Sequence, residues 1–211
     1  MPTPRLDRIA INFLHRVPDE FVTAFTPGTA MPEANILTKA QIVNYVNRAL
    51  NQLFNDFWQT IAGDWKKFIR IFPELSRITP NQIVFTNGNY TVASPYLNIY
   101  KVVGGFIDAT PKRFIKVWEE WKYSIAITEE YPEYVATSIN PAIIQIHNLI
   151  ALFPQATTNV KLQYIAAPID PTTGAQLTQN GTYDSPFFDH WNDMITDIAY
   201  SLYLKETTET T

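Results

Sequence analysis

The sequence predicts an α+β fold. Apolar residues recur at helical spacing near residues 38–62 and again near 186–205, while 78–167 carries β-branched and aromatic runs punctuated by turn signals. With 211 residues, 46% hydrophobic and 14% aromatic, the chain has enough apolar material for a compact body with attached arms. Residues 38–205 read as one domain, because strands late in the chain need an early or late helix to cover their apolar face.

Residues 1–37 read as an extended N-terminal arm. Pro2, Pro4, Pro18, Pro27 and Pro32, with Gly28, interrupt any long helix, while Ile9, Ile11, Phe13, Leu14, Phe21 and Phe25 require an apolar partner in the same or a neighbouring subunit. A short helix over 19–25 is the local alternative. Thr38 then caps the clearest helix, in which Ile42, Val46, Ala49, Leu53, Phe57 and Ile61 recur before a stop at Gly63.

The next segment, "DWKKFIRIFPELSRITP", places Trp65, Phe68, Ile69 and Phe72 on a short helical face that Pro73 ends. Its Lys66, Lys67, Arg70 and Arg77 make a solvated basic face, or a contact to DNA or to an acidic neighbouring subunit. The β-rich region 78–167 opens with "QIVFTNGNYTV", whose Asn87-Gly88 is a hairpin signal, and "YLNIYKVVGG" supplies a further strand. Thr110 and Pro111 resemble a helix cap and first turn, which puts Phe114, Val117, Trp118 and Trp121 on one side of a helix. A meander follows, with strands at Ile143–His147, Leu149–Phe153 and Val160–Ile165. Residues 168–184 form a polar loop, Ser185 and Pro186 start the final helix, and 206–211 read as a frayed tail.

Composition excludes several kinds of chemistry. Sixteen Lys and Arg against 20 Asp and Glu give a net charge of −4, which disfavours broad capture of nucleic acid by the chain as a whole. The chain has no Cys, so thiol nucleophiles, disulfides and thiolate metal sites are absent. No Walker loop, dinucleotide glycine signature, nucleophile elbow or HExxH pair occurs, and no cofactor is implied. An uncharged apolar run of membrane-spanning length is also missing, so membrane anchoring and a signal peptide are not expected.

The best polar constellation is Asp189, His190, Asp193 and Asp197 on the final helix, where spacings of three and four bring side chains together. A small enzyme using Asp189, His190 and Asp193 is one reading; an acidic solvated face is the other. His15 and His147 lie on other elements. Glu119, Glu120, Glu129, Glu130 and Glu133 form a second acidic cluster, able to meet a basic neighbour such as the Trp65–Arg77 segment. Tyr96, Tyr100 and Lys101 combine aromatic rings with a cation, as a nucleotide-stacking platform does, but their spacing is too weak to name one. Trp58, Trp65, Trp118, Trp121 and Trp191 are candidate anchors, of a subunit interface or of the chain's own core. Lys66, Lys67, Arg70, Glu119 and Glu120 are the candidate charged contacts.

Three pieces of the chain, "LTKAQIVNYVNRALNQLFNDFW", "LIALFPQATTNVKLQYIAAP" and "SPFFDHWNDMITDIAYSLYL", together resemble phage head-to-tail adaptor proteins, which form rings beneath the portal. In the middle piece a strand reaches Pro154, a turn follows, and Val160–Tyr164 form another strand before Pro168. In the last, a Pro-started helix carries Phe188, His190, Trp191, Ile195, Ala199 and Leu202. The resemblance implies a helical bundle with long helices near 38–62 and 186–205 and a central antiparallel β-rich insertion. It further implies a non-enzymatic virion protein of the neck or tail, assembled in the host cytoplasm as a homo-oligomeric ring, commonly of twelve subunits. Such a ring joins a portal protein above to a tail or second ring protein below, and lets DNA pass without sequence-specific binding. Another tail or neck ring protein and a monomeric binding module are the alternatives.

Overall fold

A computed structural model describes residues 6–17, 37–107, 112–128, 136–177 and 185–209. They divide into two compact units. One is helical, built from the residues through Leu75, from Ala167–Asp170 and from Gly174 onward; the other, Ser76–Ala166 with Pro171–Thr173, holds the sheet.

The helical unit contains α1 (Leu6–Arg16), α2 (Lys39–Thr60), α3 (Trp65–Ile71) and α5 (Asn192–Glu209). Helix α2 starts on a reciprocal cap: the Gln41 N–H donates to Thr38 Oγ1 at 3.4 Å, and the Thr38 N–H donates to Gln41 Oε1 at 2.9 Å. That satisfies two backbone donors that a helix start otherwise leaves orphaned. Helix α1 buries Leu6, Ile9, Ala10, Phe13 and Leu14, a spacing that makes one continuous apolar face. Phe13 meets Tyr45 of α2 at 5.6 Å and Tyr203 of α5 at 6.2 Å between ring centroids. Arg16 forms an ion pair with Asp197, tying α1 to α5 at the polar edge of this contact.

Eight strands form one mixed sheet in the second unit, in the order β1 (Ser76–Ile78), β8 (Thr158–Ala166), β4 (Ile99–Ile107), β5 (Arg113–Trp118), β6 (Ala142–Ile146), β7 (Leu149–Phe153) and β3 (Asn89–Thr91). Strand β2 (Ile83–Phe85) also pairs with β8. Only β5 and β6 run parallel; the other pairings are antiparallel. One face buries Val102, Ile115, Ile143, Leu152, Val160, Leu162 and Tyr164. On the other, Ile144, Ala151 and Phe153 pack against Trp118 of β5 and against Tyr123 and Ala126 of the short helix α4 (Tyr123–Thr128).

The expected helical bundle with a β-rich insertion is therefore corrected: the chain is α+β, but a curled mixed sheet dominates it. Two local differences explain much of the change. Arg113–Trp118, expected within a helix, is strand β5, because pairing to β4 and β6 satisfies its backbone while Ile115 enters the core. Phe114, Val117 and Trp118 fit a helical face by spacing, but "RFIKVW" also alternates, and the neighbouring strands select the second pattern. Leu6–Arg16, expected as part of an extended arm, is helical, since its prolines stand outside that span. Residues 1–5 and 18–36, which hold most of the arm outside that helix, and 178–184, the later part of the polar loop, lie outside the described residues, as do Thr110 and Pro111. The final helix begins at Asn192 after a 3-10 turn at Asp189–Trp191, and continues through Glu206 to Glu209 where a frayed tail was expected.

The Asn87-Gly88 turn is held by mutual backbone hydrogen bonds between Thr86 and Asn89, at 2.9 and 3.0 Å, with φ of 48° and 73° at its two central residues. A Cβ on Gly88 would stand 2.7 Å from the Leu152 carbonyl oxygen. Gly88→Ala combines a left-handed backbone with a collision against main chain, and is expected to destabilise the sheet unit by about 1–3 kcal/mol. Urea denaturation followed by circular dichroism checks this; an unchanged midpoint contradicts it.

Candidate functional site

The sequence-predicted polar group lies at the start of α5, where it does structural work. Asp189 Oδ1 accepts a hydrogen bond from Asn192 Nδ2 at 3.2 Å, and the His190 ring lies 5.0 Å from Trp191 and 6.1 Å from Phe188. Asp193 is exposed, and Asp197 pairs with Arg16. His15, His147 and His190 sit on three separate elements: α1, the β6–β7 turn and the 3-10 turn. Among the described residues no group of three or more His, Cys, Asp or Glu side chains could hold a metal ion.

The tryptophans divide by environment. Trp191 lies tilted against Phe72 at 4.6 Å and edge-on to Phe57 at 5.6 Å, and Trp58 lies edge-on to Phe68 at 5.2 Å, so both help fill the helical unit's own interior. Trp118 is half-buried in the α4-covered face of the sheet. Trp65 carries Lys66 Nζ 5.5 Å from its ring centre. Trp121 is 57% exposed, and its indole N–H donates to the Glu119 carboxylate.

Charged candidates follow local chemistry. Asp64 caps α3, accepting from the Lys66 and Lys67 backbone N–H groups at 3.0 and 3.2 Å; the Lys67 bond above all holds its carboxyl below the usual carboxylate range. The Lys67 ammonium stands 3.7 Å from the same carboxylate. Lys66, Lys67 and Arg70 are exposed on α3, while Glu119 and Glu120 are exposed beyond the end of β5, in the other unit. Glu129, Glu130 and Glu133 lie outside the described residues.

Two features were not foreseen from sequence. Helix α5 turns apolar side chains to solvent as well as inward: Ile195 and Ala199 are buried, yet Met194 and Leu204 are each 42% exposed. Near the end of the same helix, the Tyr45 hydroxyl donates to Glu206 Oε2 at 2.7 Å and Arg48 pairs with Glu206 Oε1. Burial first, and then the bond to the Glu206 anion, push the Tyr45 phenol up to about 12, while the Arg48 guanidinium lowers the Glu206 carboxyl. Residues 161 apart in sequence meet here, so no local spacing announces the contact.

A cavity of about 160 Å³ in the sheet unit is bordered by Ile107, Arg113, Ser138, Leu152 and Thr158. Ordinary small-molecule sites hold about 300–1,000 Å³, and the Arg113 guanidinium already donates to the Ser138 carbonyl at 2.7 Å. No protein-family model matches the chain, and no curated protein matches it. No helix among the described residues is long and apolar enough to cross a membrane.

Because the folded state raises the Tyr45 value to about 12, native protein keeps this phenol neutral where the unfolded chain begins to ionise it near pH 10. Its stabilisation is complete below about pH 10 and is lost as pH rises toward 12. Burial also raises the Tyr90, Tyr100 and Tyr164 phenols, and ultraviolet titration is expected to show beside them a step near pH 12 that Tyr45→Phe removes. The variant's unfolding midpoint should also fall less steeply over that interval. Retention of the step in Tyr45→Phe contradicts the assignment.

Proposed function

We propose that this protein is a non-catalytic structural subunit that assembles into a homo-oligomeric ring of the phage head-to-tail connector. The observation carrying the reading is that Met194 and Leu204 of α5 each remain 42% exposed in the single chain. A helix with apolar residues on more than one side gains by being covered on both, and a neighbouring copy supplies the cover. In a ring this contact is heterologous, with one surface meeting a different surface of the next copy until rotation closes the circle.

The resemblance to adaptor proteins supports the same reading. Its first piece includes most of α2, its second spans β7 and β8, and its third includes the 3-10 turn and most of α5. On this reading about twelve copies join a portal above to a tail or second ring protein below, in the neck or tail of the virion, after assembly in the host cytoplasm. DNA passes along the axis without sequence reading.

Light scattering of purified protein, with electron microscopy of the same sample, tests the proposal. The expected result is a discrete ring, alone or on addition of portal and tail partners. Met194→Lys with Leu204→Lys is expected to weaken assembly on the order of tenfold or more while leaving the unfolding midpoint in place. A chain that stays monomeric under all these conditions overturns the reading.

A further inference from the structure

The charge of the chain is unevenly placed. Its net value is −4, yet the eight strands carry Arg77, Lys101, Arg113, Lys116 and Lys161 and neither an Asp nor a Glu. Two of these cations lie on the face of β8, β4 and β5 opposite the apolar core. The register fixes that face: Phe106 pairs with Lys161 on one side and with Phe114 on the other, so the three side chains stand in a row. Leu162 and Ile115, next along their strands, are buried in the core, which sends Lys161 and Phe114 outward.

Phe114 is 75% exposed, and its ring lies 6.4 Å from that of Phe106. Lys112 Nζ stands 5.1 Å from the Phe106 ring centre. Lys116 is exposed two residues along β5 from Phe114, and the exposed Gln163 lies across from Gly104, its Oε1 3.2 Å from where a Cβ would be. The Gln163 side chain thus lies over Gly104 and donates from Nε2 to Ser76 Oγ at 3.4 Å.

We propose that this open face binds a single-stranded polynucleotide, with a base stacking on Phe114 and phosphates paired to Lys116 and Lys161. An exposed ring among lysines has the composition of a sequence-tolerant stacking contact. Lysine-rich surroundings argue against a protein partner, because interface cores are depleted in lysine. The strands supply no carboxylate to repel a phosphate. The inference is independent of the ring reading, since it uses β4, β5 and β8 and not α5.

Fluorescence anisotropy of a labelled oligo(dT) 12-mer with the full chain tests it, in a salt series, with an oligo(dT)·oligo(dA) duplex and poly-glutamate as comparison probes. Saturable binding of oligo(dT) is expected, weakened roughly tenfold or more by Phe114→Ala. Lys116→Ala and Lys161→Ala should each reduce the steepness of log affinity against log salt by about 0.7. Phe114 and Lys116 are exposed, so circular dichroism of these variants should be unchanged, and light scattering should show the wild-type assembly state. No saturable binding, or oligo(dT) binding indifferent to Phe114→Ala, overturns the proposal. Duplex or poly-glutamate binding as tight as oligo(dT) overturns it too, leaving charge attraction without stacking. Loss of assembly in Phe114→Ala, without oligo(dT) binding by the wild type, would identify the face as a contact between copies and also overturn it.

Discussion

Strand β8 is the constraint on which the sheet unit depends. It pairs with β4 along one edge and with β1 and β2 along the other, so nine residues must satisfy neighbours on both sides. Its alternation then separates two environments: Val160, Leu162 and Tyr164 face the apolar core, while Lys161 and Gln163 point away from it. A slip of one residue would exchange the sets, burying a lysine and exposing leucine, so the apolar pattern fixes the register. Buried Thr79 locks that position from β1's side. Its N–H donates to the Leu162 carbonyl at 2.9 Å, and its hydroxyl accepts from the Leu162 N–H at 3.2 Å.

The partner strand is shaped to match. Two register shifts interrupt β4 between Ile99 and Gly104, leaving backbone groups that cannot all reach β8. Gln145 of β6 answers two of them, accepting from the Val102 N–H at 2.7 Å and donating to the Tyr100 carbonyl at 3.1 Å. Beyond the bulges a Cβ on Gly105 would stand 2.9 Å from the Lys161 carbonyl oxygen, so the close approach of β4 to β8 requires a glycine. Pairing resumes there, and it carries Phe106 and Phe114 to the open face.

What the sequence made legible was local. Helix α2 could be read because its cap, its period and its length lie within one segment, and Thr38 and Gln41 settle the start by themselves. The Asn87-Gly88 turn and the β6–β7 strands were legible for the same reason, since two positive φ values and short apolar runs need no distant partner. Strand β5 was not, because the spacing of Phe114, Val117 and Trp118 satisfies a helix and a strand alike, and the deciding partners lie elsewhere in the chain. Helix α1 was obscured differently: the flanking prolines were allowed to outweigh the regular spacing of Leu6, Ile9, Ala10, Phe13 and Leu14. Among candidate site residues, Asp189, His190 and Asp193 were correctly seen as neighbours on one segment, but spacing could not tell that Asp197 pairs with Arg16. Neither Phe114's exposure nor the meeting of Tyr45 with Glu206 follows from local pattern, since both depend on tertiary register.

The surface chemistry follows from this single alternation. If β5 is a strand paired as described, Phe114 faces solvent beside Lys116, and Ile115 faces the core. The absence of native cysteine permits a direct test with single Phe114→Cys and Ile115→Cys variants. Under native conditions a maleimide should modify the thiol at position 114 rapidly and the one at 115 only on unfolding. Equal rates at the two positions, or a protected 114 beside a reactive 115, would contradict the account.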